Sequence, residues 1–189
     1  MGIFSGTKSA LANFTVKRFW LILVALILIA SFLAFRNVTI VLLLIGLSII
    51  SKLVEIFLPR AVIFDLSFFT LIVLQFAYGS SFALAVAITA YLIGTLVKSK
   101  FTHHVAGESL ILPPLGYLIV SFIISIFYFD IFTTGMIALA IYASLMTISY
   151  GILYRFPIFD MIIYLVTIIP FNYFVFLNFA EPVLSLLAT

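Results

Sequence analysis

The sequence predicts an all-α, polytopic transmembrane helix bundle of seven spans, with six as the alternative. Three observations predict it. Of 189 residues, 66% are hydrophobic and 8% charged, whereas a soluble domain is about 45–50% apolar and about 25% charged. The apolar residues run in continuous stretches of about the 20 residues that a helix needs to cross hydrocarbon, not in the alternating units of about ten that build a membrane barrel. The basic residues cluster at the ends of these stretches, as membrane topology demands. A folded chain this short still exposes much of its surface. With a mean hydropathy of +1.43, lipid has to be part of its solvent, and backbone amides must then be paired within helices.

Residues 1–18 read as a cytoplasmic N-terminal segment and residues 19–189 as a transmembrane helical domain. The run 19–35 is too long for a secretory signal core and leads into another apolar run, so it is expected to remain as the first helix. Lys17, Arg18 and Trp20 mark head-group depth at its start. The later runs are 38–58, 61–78, 81–97, 110–129, 131–154 and 158–178. Arg36–Asn37 reads either as a tight turn between two spans or as a break within a hairpin that does not fully cross. With seven spans and a cytoplasmic N-terminus, Lys8, Lys17, Arg18, Lys52, Arg60, Lys98, Lys100 and Arg155 share the cytoplasmic side and Arg36 alone lies outside. That is the positive-inside pattern.

Gly79 permits a short outer turn after Tyr78. Pro59, Pro113, Pro114 and Pro157 are expected near helix starts, where a missing amide costs nothing. Pro170 lies mid-span. It should kink its helix and free a carbonyl that a neighbouring helix or cavity must serve.

Several functions are argued against. There is no cysteine, hence no disulfide, thiolate metal site or thiol nucleophile. The net charge of +3 sits at run ends and forms no basic face for nucleic acid. No HExxH, GxSxG or phosphate-cradling glycine loop occurs, so a non-enzyme without cofactor is expected. His103 and His104 with Glu108 read as a solvated loop, since adjacent histidines do not face one ion from a helix.

Helices in lipid associate through small residues and interhelical hydrogen bonds. Ala83, Ala87, Ala90 and Gly94 form one such stripe, Ala140, Ser144, Thr147 and Gly151 another, and Ala30 with Ala34 a third. Internal packing explains them. A docking face for another membrane subunit is the alternative for the first and fourth runs.

Charges at bilayer depth are costly and need a reason. Asp65, followed by Ser67, reads as a helix-start residue that caps free amides, with a ligand or cation contact as the alternative. Lys52 and Glu55, three apart, should neutralise one another. Gln75, Tyr78, Asn172 and Glu181 fall toward the outer half of the seven-span arrangement, and Tyr117 and Tyr142 also interrupt apolar runs. These read as interhelical hydrogen bonds or interfacial anchors, or as the lining of a cavity that opens outward.

FDLSFFTLIVLQFAYGSSFALAVAITAYLIG, residues 64–94, resembles the second and third helices of the substrate-binding S-components of energy-coupling-factor vitamin transporters. The resemblance rests on Asp65 and Ser67 at the start, the Gly79 turn, and Ala83 and Ala87 after it. Residues 42–59 are similar to that family's first helix, and Pro170 with Asn172 to the Pro-x-Asn of its last. The chain departs in its extra N-terminal span, its outward C-terminus, and Ser80 where proline is common. The resemblance implies capture of a vitamin-like solute, a transmembrane coupling subunit and paired ATPases as partners, and Asp65, Gln75, Tyr78 and Asn172 as binding positions. Without it, the expectation is a structural scaffold subunit of a larger membrane complex, in contact with the bilayer and other membrane subunits.

Overall fold

The computed structural model describes residues 35–58, 64–102, 107–127 and 129–188. The chain divides into two units, 1–41 and 42–189. Of the first unit only residues 35–41 are described. They begin a helix in which the Thr39 amide and hydroxyl both donate to the Phe35 carbonyl, at 2.9 and 3.1 Å.

Six α-helices follow one another among the described residues: α1 (Arg36–Val54), α2 (Leu66–Tyr78), α3 (Ser80–Thr102), α4 (Gly107–Ile126), α5 (Ile131–Tyr154) and α6 (Ile158–Ala188). A single 3-10 turn, Glu55–Phe57, extends α1. Four of them are long and apolar enough to cross a bilayer, counting α1 with its 3-10 turn. This architecture fits a multi-pass membrane protein. The apolar part of α4, Leu110–Ile126, and α2 are shorter.

α2 is the centre of unit 42–189. It packs against α3, α4, α5 and α6, and nine successive residues, Ser67 to Gln75, are buried. Its ends are set by local chemistry. Asp65 at the N-cap accepts from the Ser67 amide at 3.1 Å, which satisfies an orphan donor of the first turn. Gly79 closes the other end at φ 87°, its amide donating to the Gln75 carbonyl, and α3 starts at the next residue. α5 is capped in the same manner by Asp130, which accepts from the Thr133 amide at 2.9 Å. It ends on Arg155 in the left-handed region, at φ 53°, where glycine is the usual residue.

Asp65 caps its helix as its position before Ser67 suggests. Several other expectations need correction. Among the described residues the run 61–78 is helical only from Leu66, because the aspartate side chain competes for the first amides. Pro113 and Pro114 sit within α4, as its seventh and eighth residues. They leave the carbonyls four residues earlier without an in-helix donor. α6 runs unbroken for 31 residues through Pro170 and Pro182, and Pro170 lies on an exposed face, not beside a neighbour. On α5, Ala140 and Ser144 face outward, while Ala138, Leu139, Tyr142, Ala143 and Met146 are buried. The run 19–35, Ala30 and Ala34, and His103–His104 lie outside the described residues.

The remaining stripe turns inward. Ala83, Ala87 and Ala90 are fully buried. A methyl group on Gly94 would come within 3.0 Å of Lys52 Cβ and 3.3 Å of the Ile49 Cα, so α3 and α1 meet almost backbone to backbone there.

Candidate functional site

At the Asp65 end of α2, unit 42–189 gathers four charged groups, three of them buried. Lys52 comes from the last turn of α1, Glu55 from the 3-10 turn, Asp65 from the cap of α2 and Lys98 from the end of α3. The Lys52 ammonium donates to Glu55 Oε1 at 3.0 Å and lies 3.7 Å from Asp65 Oδ1. Lys98 donates to the other oxygen, Glu55 Oε2, at 2.9 Å. The side chains of Lys52, Glu55 and Asp65 are at most 5% exposed, whereas Lys98 is 32% exposed. Lys52 also stands 4.7 Å above the Tyr91 ring of α3, where the negative ring face favours a cation.

The second Asp65 oxygen turns toward aromatic residues. Tyr117 of α4 donates to Oδ2 at 2.5 Å and Tyr142 of α5 at 3.3 Å. The rings form a layer: Tyr91 meets Tyr117 edge-on, Tyr117 stacks on Tyr142, and Tyr142 stacks on Phe68. One carboxylate thereby ties α1, α2, α4 and α5 together. Two carboxylates balance two ammonium groups, as burial of charge requires.

Among the described residues of unit 42–189, the buried polar side-chain atoms without a hydrogen-bond partner are Ser67 Oγ on α2, and Tyr164 OH and Asn172 Oδ1 on α6. Asn172 spends its amide on the Ile168 carbonyl of its own helix, at 3.0 Å.

A second polar group stands at the opposite end of α2. Gln75 Nε2 donates to Ser80 Oγ, the Ser121 carbonyl and Ser125 Oγ at 3.0–3.2 Å. Its oxygen accepts from Ser121 Oγ at 2.9 Å. This amide joins α2, α3 and α4 and is saturated by doing so. Midway, Ser48 of α1 and Thr70 of α2 share a hydrogen bond of 2.9 Å.

The four sequence-derived binding positions are thus placed apart. Asp65 and Gln75 occupy opposite ends of α2, about 15 Å apart by helical rise. Tyr78 is 40% exposed and meets Phe82 edge-on at 5.3 Å. Asn172 is fully buried on α6. The pairing of Lys52 with Glu55 and the capping by Asp65 were readable from spacing. The reach of Lys98 to Glu55 was not, since forty-three positions separate them. Ser121 and Ser125, four apart in an apolar run, are the sequence signal for the Gln75 group.

An open cavity of about 280 Å³ lies between α4 and α5, lined by Val120, Ile124, Phe127, Ile137, Ala138 and neighbours. Its lining is apolar, and none of the four positions contributes to it. Among the described residues no three His, Cys, Asp or Glu side chains are grouped to hold a metal. No family model matches the chain, and neither a curated protein nor a solved structure matches it.

Proposed function

We propose that the chain is a non-enzymatic, multi-pass membrane subunit that binds a small solute at the cluster around Asp65. One observation carries this reading: three buried ionisable side chains, with Lys98 at their edge, and a layer of tyrosines are gathered at one end of helices otherwise suited to lipid. Burying a charge carries a desolvation cost even when it is paired. Packing alone does not call for that expense, because small residues such as Ala83 and Ala87 already bring helices together. The resemblance of residues 64–94 to S-components supports the same reading. It would supply a transmembrane coupling subunit and paired ATPases as partners. In this reading the chain lies in the cell membrane with seven spans and a cytoplasmic N-terminus, and the Lys52–Lys98 side of the cluster faces the cytoplasm.

A scaffold that binds no solute is the second reading. It is favoured by the filled centre: a methyl group on Gly116 would strike Met146 and Tyr142, and one on Gly135 would strike Phe176. Purification of the full chain in mild detergent separates the two. Retention of a small molecule by the wild type, lost in Asp65→Asn, supports the solute reading. Recovery of a large fixed assembly with no small molecule sinks it in favour of the scaffold.

A further inference from the structure

The cavity between α4 and α5 has a floor and a rim of different character. Val120, Ile124 and Ala138 form the floor and are at most 3% exposed. Phe127, Phe129 and Ile137 form the rim and are 42–58% exposed. The space of about 280 Å³ therefore opens away from the core. In a multi-pass membrane protein that direction is lipid.

The walls call for hydrocarbon. Thr134 is the one polar residue among them, and its hydroxyl accepts from the Phe129 amide at 3.1 Å. Water finds no set of two to four polar partners there, and a polar solute would lose its hydrogen bonds on entry. An apolar cavity of about 150 Å³ already holds benzene, so this one has room for a length of alkyl chain.

The turn beside the cavity offers a place for a head group. Phe129 and Thr134 both line the cavity, and Asp130 follows the first of them. The Thr134 amide donates to the Asp130 carbonyl at 2.9 Å, which with the Phe129–Thr134 bond closes the turn. Asp130 is thereby held, exposed, at the rim. Because the turn joins two apolar helices, it stands where hydrocarbon gives way to head groups.

Charge at this end of the unit has one sign. The described basic residues of 42–189, Lys52, Lys98, Lys100 and Arg155, all lie at the opposite ends of their helices. Glu181 lies at the Asp130 end, five residues beyond Phe176, whose ring meets Gly135 near the start of α5. An anionic head would meet repulsion here, whereas a primary ammonium donates a charge-assisted hydrogen bond to a carboxylate.

We infer that the α4–α5 cavity seats an acyl chain of an ammonium-headed phospholipid, in the leaflet that holds the α4–α5 turn, with its head at Asp130. This site is separate from the cluster around Asp65, so the solute reading stands or falls independently of it.

The test uses the full chain in phosphatidylcholine vesicles doped with a phospholipid whose acyl chain carries a photoreactive diazirine. The dopant has either an ethanolamine or a glycerol head on the same chains. After illumination, adducts are mapped along the sequence by peptide mass spectrometry. Adducts of the ethanolamine lipid should concentrate on residues 120–141. They should exceed those of the glycerol lipid there by about two- to fivefold, the range that one exposed ion pair supports. Ala138→Leu fills the floor and should raise the unfolding midpoint, as cavity filling commonly does. It should remove the adducts at 120–141 and leave those on other helices unchanged. Asp130→Asn should keep the adducts and erase the preference between heads. Adducts spread evenly over the exposed helix faces, or a concentration that survives Ala138→Leu, overturn the site. Equal labelling by the two heads in the wild type overturns the assignment of the head to Asp130.

Discussion

Gly135 of α5 lies against the ring of Phe176 of α6 so closely that a methyl group on Gly135 would come within 2.5 Å of Cε1 and 2.7 Å of Cδ1. Phe176 is 1% exposed and meets both Phe68 and Phe69 of α2 edge-on, so the ring has no free direction in which to yield. Gly135→Ala should therefore destabilise the bundle. Overpacking costs about 1–3 kcal/mol, against about 1 kcal/mol gained in helix propensity. Gly46→Ala is the control, because nothing lies within 4 Å of the added methyl, and it should stabilise by about 0.5–1 kcal/mol. Midpoints of thermal unfolding in detergent give both signs.

The two tyrosines on Asp65 should be unequal. Tyr117→Phe removes the 2.5 Å hydrogen bond and Tyr142→Phe the one of 3.3 Å. A hydrogen bond to a charged group contributes about 1.5–3 kcal/mol, and Tyr117→Phe should lose most of that while Tyr142→Phe loses clearly less. Comparing each with its double variant in an Asp65→Asn background isolates the pairwise part. Equal losses would show that the carboxylate does not discriminate between them.

Much of this arrangement was legible in the sequence because it depends on local spacing. Apolar run length places the helices, the Asp65–Ser67 spacing places a cap, and the three-residue step from Lys52 to Glu55 places an ion pair. Ala83, Ala87, Ala90 and Gly94 gave the buried face of α3. What escaped depends on helix rotation and long-range pairing. Nothing local says that Tyr117 and Tyr142 point at one carboxylate, or that Gln75 is consumed by Ser80, Ser121 and Ser125. The inward face of α5 was misjudged for the same reason: Ala140 and Ser144 have the right spacing for packing but belong to the wrong side of the helix. Pro170 misled differently: helix continues through it and it faces outward, so no neighbouring helix stands beside it.

The two lysines on Glu55 should also differ. Lys98 is one-third exposed, and its pairing is worth about 1 kcal/mol or less, so Lys98→Ala should shift the unfolding midpoint little, and less again at high salt. Lys52 is buried between two carboxylates and an aromatic ring. Lys52→Ala leaves charge without compensation and should cost about 3–5 kcal/mol. A similar loss from both variants would contradict the burial difference.

Asp130 sets an acid limit. Hydrogen bonds from Thr133 hold its carboxyl below the ordinary carboxylate value. Its ionised form therefore favours the folded state at pH above the unfolded value of about 3.9. This contribution is lost as pH falls through the lowered folded value. Asp130→Asn keeps a capping oxygen but removes the charge. The wild type should unfold at higher temperature than this variant near neutrality, and the gap should close below about pH 4. A gap independent of pH would show that the cap works without its charge.

Topology can be read with single cysteines, because the chain has none of its own. Lys100→Cys and Arg155→Cys should react with an impermeant thiol reagent from one face of sealed vesicles, and Asp130→Cys from the other. Labelling of Lys100→Cys and Arg155→Cys from opposite faces would break the alternation of α3, α4 and α5.

The length of α6 has a consequence for the membrane itself. At about 1.5 Å per residue, its 31 residues extend about 46 Å, against a hydrocarbon layer of about 30 Å. That mismatch is relieved by tilt, by local thickening of the bilayer, or by standing the last turns among the lipid head groups. Membranes of different thickness will set different lean angles for this helix. Lipid chain length in a reconstituted vesicle is then a handle on the α6 wall that carries Tyr164 and Asn172.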